Sequence, residues 1–383
     1  MTNKTDRKII GYLSGASGDW GGASRVLFTN IRLLDRARFE PLVMLPSDGP
    51  IVPVLAELGV RHVVWGPLRE PRTAFRYARD VASAMSFFRR SRIDLLHFNN
   101  ANYWRPAEML AARILRIPVI THYHVVVRSP GPFVRLSSLI AAVSDYAAQN
   151  SAPRRVPKVV IHNAVSLERF DNASDIRVEL GLGAQSVVVA FIGQIRTIKG
   201  IDLFIRMAQR IPGDHVRFLI AGECRDPARY EGAYSEAQLR EAIGADSRIV
   251  YAGYRTDVQH LYRSSDIVVM PSRWGEPFGL INIEAGAARK PMVSTRDGGI
   301  PEIIRHGENG FLVERDDLEG LVHYATLLIE NEALRRTMGD RARAMVEEHF
   351  TTRPVRNLEQ AYDRLLARRP LYEKQSANAF KKA

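Results

Sequence analysis

Short apolar runs alternate with longer segments of helical periodicity along the whole chain. Lys8–Leu13, Leu95–Phe98, Val187–Ile192, Val216–Ala221 and Ile267–Met270 are typical of buried strands, and each precedes a loop and an amphipathic segment. Strands that are apolar on both faces and separated by helices indicate parallel sheets covered on both sides. The pattern therefore predicts an α/β fold with doubly wound sheets.

The strand–helix rhythm stops at a polar stretch, Ser166–Asp175, and then starts again. A chain of 383 residues is long enough for two domains. We expect one Rossmann-like domain over residues 1–165 and a second over residues 166–354, facing each other across a central cleft. A last helix is expected over residues 355–370, after a break that ends at Pro354, and residues 371–383 are expected to form a polar tail.

The composition is that of an ordinary globular protein, with 46% hydrophobic and 25% charged residues. The single cysteine, Cys224, excludes an internal disulfide and favours a reducing compartment. The N-terminal residues lack the apolar stretch of a signal peptide, and no apolar run approaches the length of a membrane span. These features favour a soluble, cytoplasmic protein.

The net charge of +12 belongs entirely to the first part of the chain. Residues 1–165 contain 23 Lys and Arg against 11 Asp and Glu, whereas residues 166–383 contain 31 of each. Such a basic surface could face an anionic membrane, an acidic substrate or nucleic acid, or be solvated without a partner. The basic residues are densest in residues 69–92, whose aromatic side chains fit either a membrane interface or the core-facing side of a surface helix. Four arginines in this segment recur at helical spacing: Arg69, Arg72, Arg76 and Arg79.

Several common nucleotide and metal motifs are absent from the sequence. It has no GxxxxGK[ST] loop, no GxGxxG fingerprint, no CxxC and no HExxH. This argues against a P-loop NTPase, an NAD-dependent dehydrogenase and a zinc enzyme. An Asp-x-Asp pair that could hold a metal–diphosphate complex is also missing. We therefore expect no metal site and no cofactor.

The most informative segment is a loop rich in glycine and proline, residues 271–279, which follows a buried strand. A helix is expected to begin near Leu280, and the free N–H groups at its start can bind phosphate. Glu284 lies about one turn into this helix and could reach a ribose hydroxyl. Glu276 lies in the loop, so a tight surface turn with a solvated carboxylate is the alternative.

Five further candidate residues lie in loops at strand ends. Lys199 and Arg196 follow a buried strand and could bind phosphate or be solvated. Gly21 and Gly22 open a helix, where they permit close backbone approach or only a flexible turn. His122 and His124 follow the short strand Val119–Thr121, and a position in the core is favoured for His122.

Glu276 and Glu284 match a Glu-x7-Glu motif, and the segment around them resembles the retaining GT-B glycosyltransferases of family four. Residues 266–272, 298–302 and 307–313 resemble the strand and the loops that flank this motif in the family. Residues 161–170 resemble the linker between its two domains. The resemblance therefore covers nearly the whole chain.

The resemblance implies roles for the matched residues. Glu276 contacts the donor sugar, Glu284 binds the ribose, and Lys199 binds the diphosphate. Arg196 is expected to supply a second positive charge, because Gln194 stands where the family has arginine. The expected catalytic residues are His124 and Glu276, and the expected donor-binding residues are Gly21, Gly22, Arg196, Lys199, Phe278, Gly279, Leu280 and Glu284.

The implied function is a retaining transfer of a sugar from a nucleotide-diphosphate sugar to a glycan or lipid-linked acceptor, in the synthesis of cell-surface polysaccharide or glycoconjugate. The C-terminal domain holds the donor, the N-terminal domain holds the acceptor, and the last helix packs back on the N-terminal domain. The basic N-terminal half is a candidate for contact with the inner face of an anionic membrane. Three alternatives remain: a nucleotide-sugar-binding protein without transfer activity, an epimerase or phosphorylase of similar fold, and a basic nucleic-acid-binding protein. The sequence contains no recognised nucleic-acid-binding module, which argues against the last of these.

Overall fold

The computed structural model describes residues 7–15, 21–66, 73–99 and 105–367. Within these ranges, the strands form two parallel sheets, one from each part of the chain. Over the same residues, none of the helices combines the length and the apolar character that crossing a bilayer requires. Arg69, Arg72 and the expected tail over residues 371–383 lie outside the described residues.

The N-terminal sheet has seven strands in the order β3-β2-β1-β4-β5-β6-β7. Its strands are β1 (Lys8–Leu13), β2 (Phe39–Leu45), β3 (Arg61–Val64), β4 (Leu95–Phe98), β5 (Val119–Tyr123), β6 (Leu139–Ala142) and β7 (Lys158–Val160). The helices of this part are α1 (Gly22–Leu33), α2 (Ile51–Glu57), α3 (Ala74–Arg90), α4 (Pro106–Leu115) and α5 (Asp145–Asn150). The strand order reverses between β1 and β4, and doubly wound sheets bind ligands at such a switch point.

The C-terminal sheet has six strands in the order β10-β9-β8-β11-β12-β13. Its strands are β8 (Val187–Ile192), β9 (Val216–Ala221), β10 (Ile249–Tyr251), β11 (Ile267–Met270), β12 (Met292–Thr295) and β13 (Gly310–Val313). The helices are α6 (Glu168–Asp171), α7 (Ile201–Arg210), α8 (Glu236–Ile243), α9 (Val258–Arg263), α10 (Leu280–Ala287), α11 (Leu318–Glu330) and α12 (Glu332–His349). The order reverses between β8 and β11, so the predicted fold of two doubly wound α/β sheets is confirmed.

One apolar core runs through the interface between the two sheets. Tyr123 and Ala142 from the N-terminal sheet share a buried cluster with Val188, Met270 and Phe278 from the C-terminal part. Burial of apolar surface is the main favourable contribution to folding. This shared cluster therefore fixes the loops of one sheet against those of the other.

The chain returns to the N-terminal domain in α13 (Arg353–Leu366), where Leu358 and Tyr362 are buried in the same cluster as Ile10 of β1. The helix begins two residues before the start predicted at residue 355. The prediction placed Pro354 in a break before the helix, but the structure places it in the first turn. A proline there loses no intrahelical hydrogen bond, which is why the helix includes it.

The basic helix α3 packs most of its aromatic side chains into the protein. Phe88 is buried and Phe87 is half-buried, whereas Phe75 is 80% exposed. Arg76 and Arg79 are exposed on the same helix. Most aromatic side chains of this helix therefore pack toward the core, whereas Phe75 is exposed next to Arg76 and Arg79.

Candidate active site

Glu276 is held in the loop between β11 and α10 by two neighbours. Glu276 is 6% exposed. Its Oε1 accepts hydrogen bonds from Lys199 Nζ at 2.5 Å and from Ser272 Oγ at 2.9 Å. The Lys199 ammonium also lies 4.8 Å from the ring centroid of Trp274, within cation–π range. A carboxylate this buried requires a counterion. Lys199 and Glu276, predicted from separate segments, are thus in direct contact.

Gly200 brings the loop of Lys199 against the loop of Glu276. A short 3₁₀ helix, Thr197–Lys199, ends at this glycine, whose φ is +77°. A Cβ at this position would lie 2.0 Å from the carbonyl oxygen of Pro271. Only glycine fits both the left-handed backbone and the close approach, so this residue sets the spacing of the two loops.

Glu284 lies in α10 and is 5% exposed. Tyr262 Oη donates to its Oε2 at 2.9 Å, and the guanidinium of Arg25 pairs with its Oε1. The Glu284 carboxylate raises the pKa of Arg25, and burial raises the pKa of Tyr262 well above its ordinary value. Both partners are therefore protonated donors at neutral pH. Because Arg25 belongs to α1, this carboxylate is contacted from both domains.

The amino ends of α1 and α10 face each other across the cleft. Gly21 caps α1, and a Cβ added at Gly22 would lie 3.4 Å from Leu280 Cδ1. Gly279 caps α10 with a φ of +84°, and no side chain caps the amides there. An uncapped helix start favours phosphate binding. Phe278 is 2% exposed, so its side chain belongs to the core and a role at the site rests on its backbone.

His124 follows β5 and is tied to α1 through Asn99. Its ring stacks on His122 with the centroids 4.3 Å apart, and its Nε2 lies 3.1 Å from Asn99 Oδ1. Asn99 Nδ2 donates to the carbonyl oxygen of Ala23 at 3.1 Å. Burial lowers the pKa of His124 to about 4, so the imidazole is neutral at pH 7. A neutral ring can exchange a hydrogen bond with a sugar hydroxyl.

A buried chain of polar side chains links this region to α13. His122 Nδ1 lies 3.2 Å from His97 Nε2, and His97 Nδ1 lies 2.6 Å from Tyr362 Oη. Tyr362 Oη lies 3.0 Å from Tyr12 Oη. All four residues are at most 1% exposed, and burial lowers the pKa of His97 to about 3. His122 is therefore a core histidine whose contacts extend to the last helix.

The amino end of α5 docks the N-terminal domain on the loop that carries Glu276. Ser144 Oγ donates to the carbonyl oxygen of Pro277. The amides of Asp145 and Tyr146 donate to the carboxylate of Glu302 at 2.9 and 3.0 Å. The first contact holds the loop of Glu276 from the N-terminal side of the cleft, and the other two hold the turn that contains Glu302.

The positive charge beside the two carboxylates comes from Lys199 and Arg25. Arg196 has a different environment, because its guanidinium donates to the carbonyl oxygen of Glu231 at 2.7 and 3.2 Å. Its part in diphosphate binding stays a prediction. In the part of the chain that the structure describes, no group of three or more His, Cys, Asp or Glu residues is placed to hold a metal ion.

Arg25 and Tyr262 touch a predicted site residue, although sequence reasoning did not single them out. The sequence could have indicated Arg25, because this residue lies in the first turn of the helix that begins at Gly21 and Gly22. Tyr262 reaches Glu284 from α9, and no motif spacing relates the two. Contacts of this kind follow from the packing of helices, not from a local pattern.

Two family models match the chain. The model described as Glycosyltransferase Family 4 matches residues 20–169, and the model described as Glycosyl transferases group 1 matches residues 172–345. The first covers the N-terminal sheet except β1, and the second covers the whole C-terminal sheet. Each of the two parts of the chain is therefore similar to a family of glycosyltransferases.

Curated relatives resemble the chain over most of its length. It is 28% identical over 346 residues to the D-inositol 3-phosphate glycosyltransferase of Mycobacterium marinum, an alignment that covers 79% of this chain and 72% of the relative. It is 25% identical over 373 residues to the enzyme of the same name from Corynebacterium glutamicum, covering 85% and 87% of the two chains.

Solved structures share the fold across nearly the whole chain. Anabaena Alr3699/HepE, crystallised with UDP and glucose, superposes with a TM-score of 0.76 at 23% identity, covering 92% of this chain and 99% of that one. A glycosyltransferase from Rickettsia africae superposes with a TM-score of 0.80 at 19% identity, covering 94% and 99%. At these identities the likeness concerns the fold.

Proposed function

Because the chain belongs to glycosyltransferase family 4 and has the GT-B fold, we propose that it transfers a sugar from a nucleoside-diphosphate donor with retention of the anomeric configuration. The observation that carries the proposal is the contact between Lys199 and Glu276 at the carboxyl edge of the C-terminal sheet. Glu284 lies in the helix that follows the same loop, and His124 is held on the N-terminal side of the cleft.

In this proposal the donor is bound in three parts, mainly by the C-terminal domain. Glu284 accepts hydrogen bonds from the ribose hydroxyls. The uncapped start of α10 and the ammonium of Lys199 bind the diphosphate. Glu276 and the neutral ring of His124 bind hydroxyls of the sugar, which orients its anomeric carbon toward the acceptor.

The reaction breaks the bond between the anomeric carbon and the diphosphate oxygen, so negative charge develops on the leaving group. Lys199 and the α10 amides stabilise that charge because they are already in place before the bond breaks. The acceptor oxygen attacks the same face of the sugar, and its proton passes to an oxygen of the leaving phosphate. This route requires neither a covalent enzyme intermediate nor a protein base.

We further propose that the acceptor is anionic, as a phosphorylated or lipid-linked glycan would be, in the synthesis of a cell-surface glycan or glycoconjugate. The support is the net charge of +12 within residues 1–165 and the name of the relatives, whose acceptor carries a phosphate. The exposed arginines of α3 and the exposed Phe75 support docking of this half on the inner face of an anionic membrane.

Transfer is tested with a panel of nucleotide sugars and anionic acceptors, with the anomer of the product assigned by NMR. We expect Glu276→Ala and Lys199→Ala to lose transfer by at least about a hundredfold, because one removes a sugar contact and the other a charge that stabilises the leaving group. Glu241→Ala, at an exposed position on α8, is the matched control and should retain full activity. Full activity of either site variant, or a product with inverted configuration, would contradict the proposal.

The chemistry described above uses side-chain and backbone charges only, so we propose that no metal is needed. Transfer in excess EDTA should equal that in buffer alone. Complete loss in EDTA with recovery on addition of magnesium would overturn this part of the proposal and leave the donor assignment intact.

A further inference from the structure

Both oxygens of the Glu284 carboxylate are engaged by donors of the protein. Tyr262 Oη donates to Oε2 at 2.9 Å, and the Arg25 guanidinium pairs with Oε1. Tyr262 comes from α9 of the same domain, whereas Arg25 comes from α1 across the cleft. The carboxylate that the proposed function assigns to the ribose is therefore oriented by a side chain of the other domain.

We propose that Arg25 is a positioning residue for the donor, which holds the Glu284 carboxylate in the orientation in which both ribose hydroxyls can donate to it. The inference rests on the proposed function, in which Glu284 binds the ribose. It adds that the nucleotide site of the C-terminal domain is incomplete without the N-terminal domain.

The charge of Arg25 is needed because of the burial of Glu284. A carboxylate in a residue that is 5% exposed has lost most of its hydration, and an opposite charge must replace it. Ribose hydroxyls are neutral, so they cannot take over this role when a nucleotide binds. Arg25 therefore stays paired with Glu284 in the complex.

The hydrogen-bonding capacity of the carboxylate allows both sets of partners at once. An ionised carboxylate has two oxygens with about four acceptor sites in total. Arg25 occupies one site on Oε1 and Tyr262 occupies one site on Oε2. One site remains on each oxygen, which matches the two hydroxyls of a ribose.

The other charged groups near this pair do not substitute for Arg25. Arg169 of α6 interacts with Glu284 through its charge, but its guanidinium donates to Gln259 Oε1 at 2.9 Å and to the carbonyl oxygen of Thr256 at 3.2 Å. Tyr254 lies close enough to Arg25 to interact with its charge. Without Arg25, Glu284 Oε1 loses the donor that orients it, and only Tyr262 still holds the carboxylate through Oε2.

The test is calorimetric titration of the full chain with UDP, GDP or ADP, whichever the wild type binds, and with the 2′,3′-dideoxy form of the same nucleotide. We expect Arg25→Met to weaken binding of the ribonucleotide about tenfold to a hundredfold, as for a lost hydrogen bond to a charged group. Binding of the dideoxy nucleotide should not change, because it has no hydroxyl for Glu284 to accept. Arg25→Lys should recover part of the affinity.

A charge-matched control and a stability measurement separate this role from a purely structural one. Arg32→Met, two turns further along α1 at an exposed position, removes the same charge and should behave as the wild type. Thermal unfolding verifies that the variants are folded.

Unchanged or tighter binding by Arg25→Met would overturn the inference, since tighter binding would mean that Arg25 competes with the ribose. An equal loss for the ribonucleotide and the dideoxy nucleotide would also overturn it, because Arg25 would then contact the diphosphate. A wild type that binds none of the three nucleotides would contradict the proposed function itself, and the inference would fall with it.

Discussion

At the residue scale, the most unusual feature is a group of neutral histidines under the cleft. Burial lowers the pKa of His97 to about 3 and that of His124 to about 4, and it lowers the pKa of His122 well below its ordinary value. In the unfolded chain each would titrate near pH 6.5. The folded state therefore excludes protons that the unfolded state binds below that pH.

This difference predicts that the protein loses stability in mild acid. As the pH falls from about 6.5 toward 4, each of these histidines lowers the free energy of unfolding by up to about 1.4 kcal/mol per pH unit. Urea unfolding at several pH values measures the slope. His122→Asn should make the slope shallower, whereas His323→Asn, at an exposed position on α11, should leave it unchanged. Equal slopes for the two variants would contradict the argument.

Residues of the site were predictable where one loop carries them and unpredictable where two elements meet. The spacing of Glu276 and Glu284 is a local pattern, and Lys199 lies in a loop at a strand end, so the sequence indicated all three. Arg25 and Tyr262 join Glu284 because α1 and α9 pack beside α10. That packing depends on the surfaces of whole helices, and the sequence pattern of any one element does not contain it.

At the element scale, five of the buried strands were predicted to the residue. β1, β4, β8, β9 and β11 have the bounds that their apolar runs indicate. The sequence did not predict α5, whose six residues are too few for a helical period and bury only Ala147. The one sequence feature that indicates this helix is its N-cap residue, Ser144, whose side chain accepts a hydrogen bond from the amide of Ala147.

A substitution at Gly200 tests how the distance between the loop of Lys199 and the loop of Glu276 affects nucleotide binding. Gly200→Ala would put a Cβ 2.0 Å from the Pro271 carbonyl oxygen, so the loop of Lys199 must move away from that of Glu276. We expect the variant to lose several kcal/mol of stability and most of its nucleotide affinity. Gly181→Ala introduces a similar positive φ, at +66°, with nothing within 4 Å, and should cost only about 1–2 kcal/mol. Thermal unfolding and calorimetry compare the two, and equal effects would show that strain alone is responsible.

At the scale of the whole molecule, charge and donor site are separated between the two parts of the chain. The basic excess lies within residues 1–165, and the proposed donor residues Lys199, Glu276 and Glu284 lie beyond it in a part without net charge. Contacts from α1 and α5 join the two parts at the cleft. An anionic surface is therefore expected to bind the N-terminal domain and not the part that carries the proposed donor residues.

This separation predicts selective binding to anionic vesicles. The protein should sediment with vesicles that contain phosphatidylglycerol and remain in the supernatant with phosphatidylcholine alone. Reversal of Arg76 and Arg79 to glutamate should weaken binding by at least about tenfold, since each basic residue near such a surface contributes about 1 kcal/mol. The same reversals at the exposed Arg206 and Arg341 of the C-terminal domain serve as the control. Equal sedimentation with both vesicle types, or no difference between the two double variants, would refute membrane docking through α3.

The return of α13 to the N-terminal sheet has a consequence for biosynthesis. Leu358 and Tyr362, near the end of the described chain, bury themselves against Ile10 and Tyr12, near its start. The first half to leave the ribosome therefore lacks part of its own core until residues 353–366 have been made. Until then, the apolar surface around Ile10 that this helix covers stays exposed to solvent.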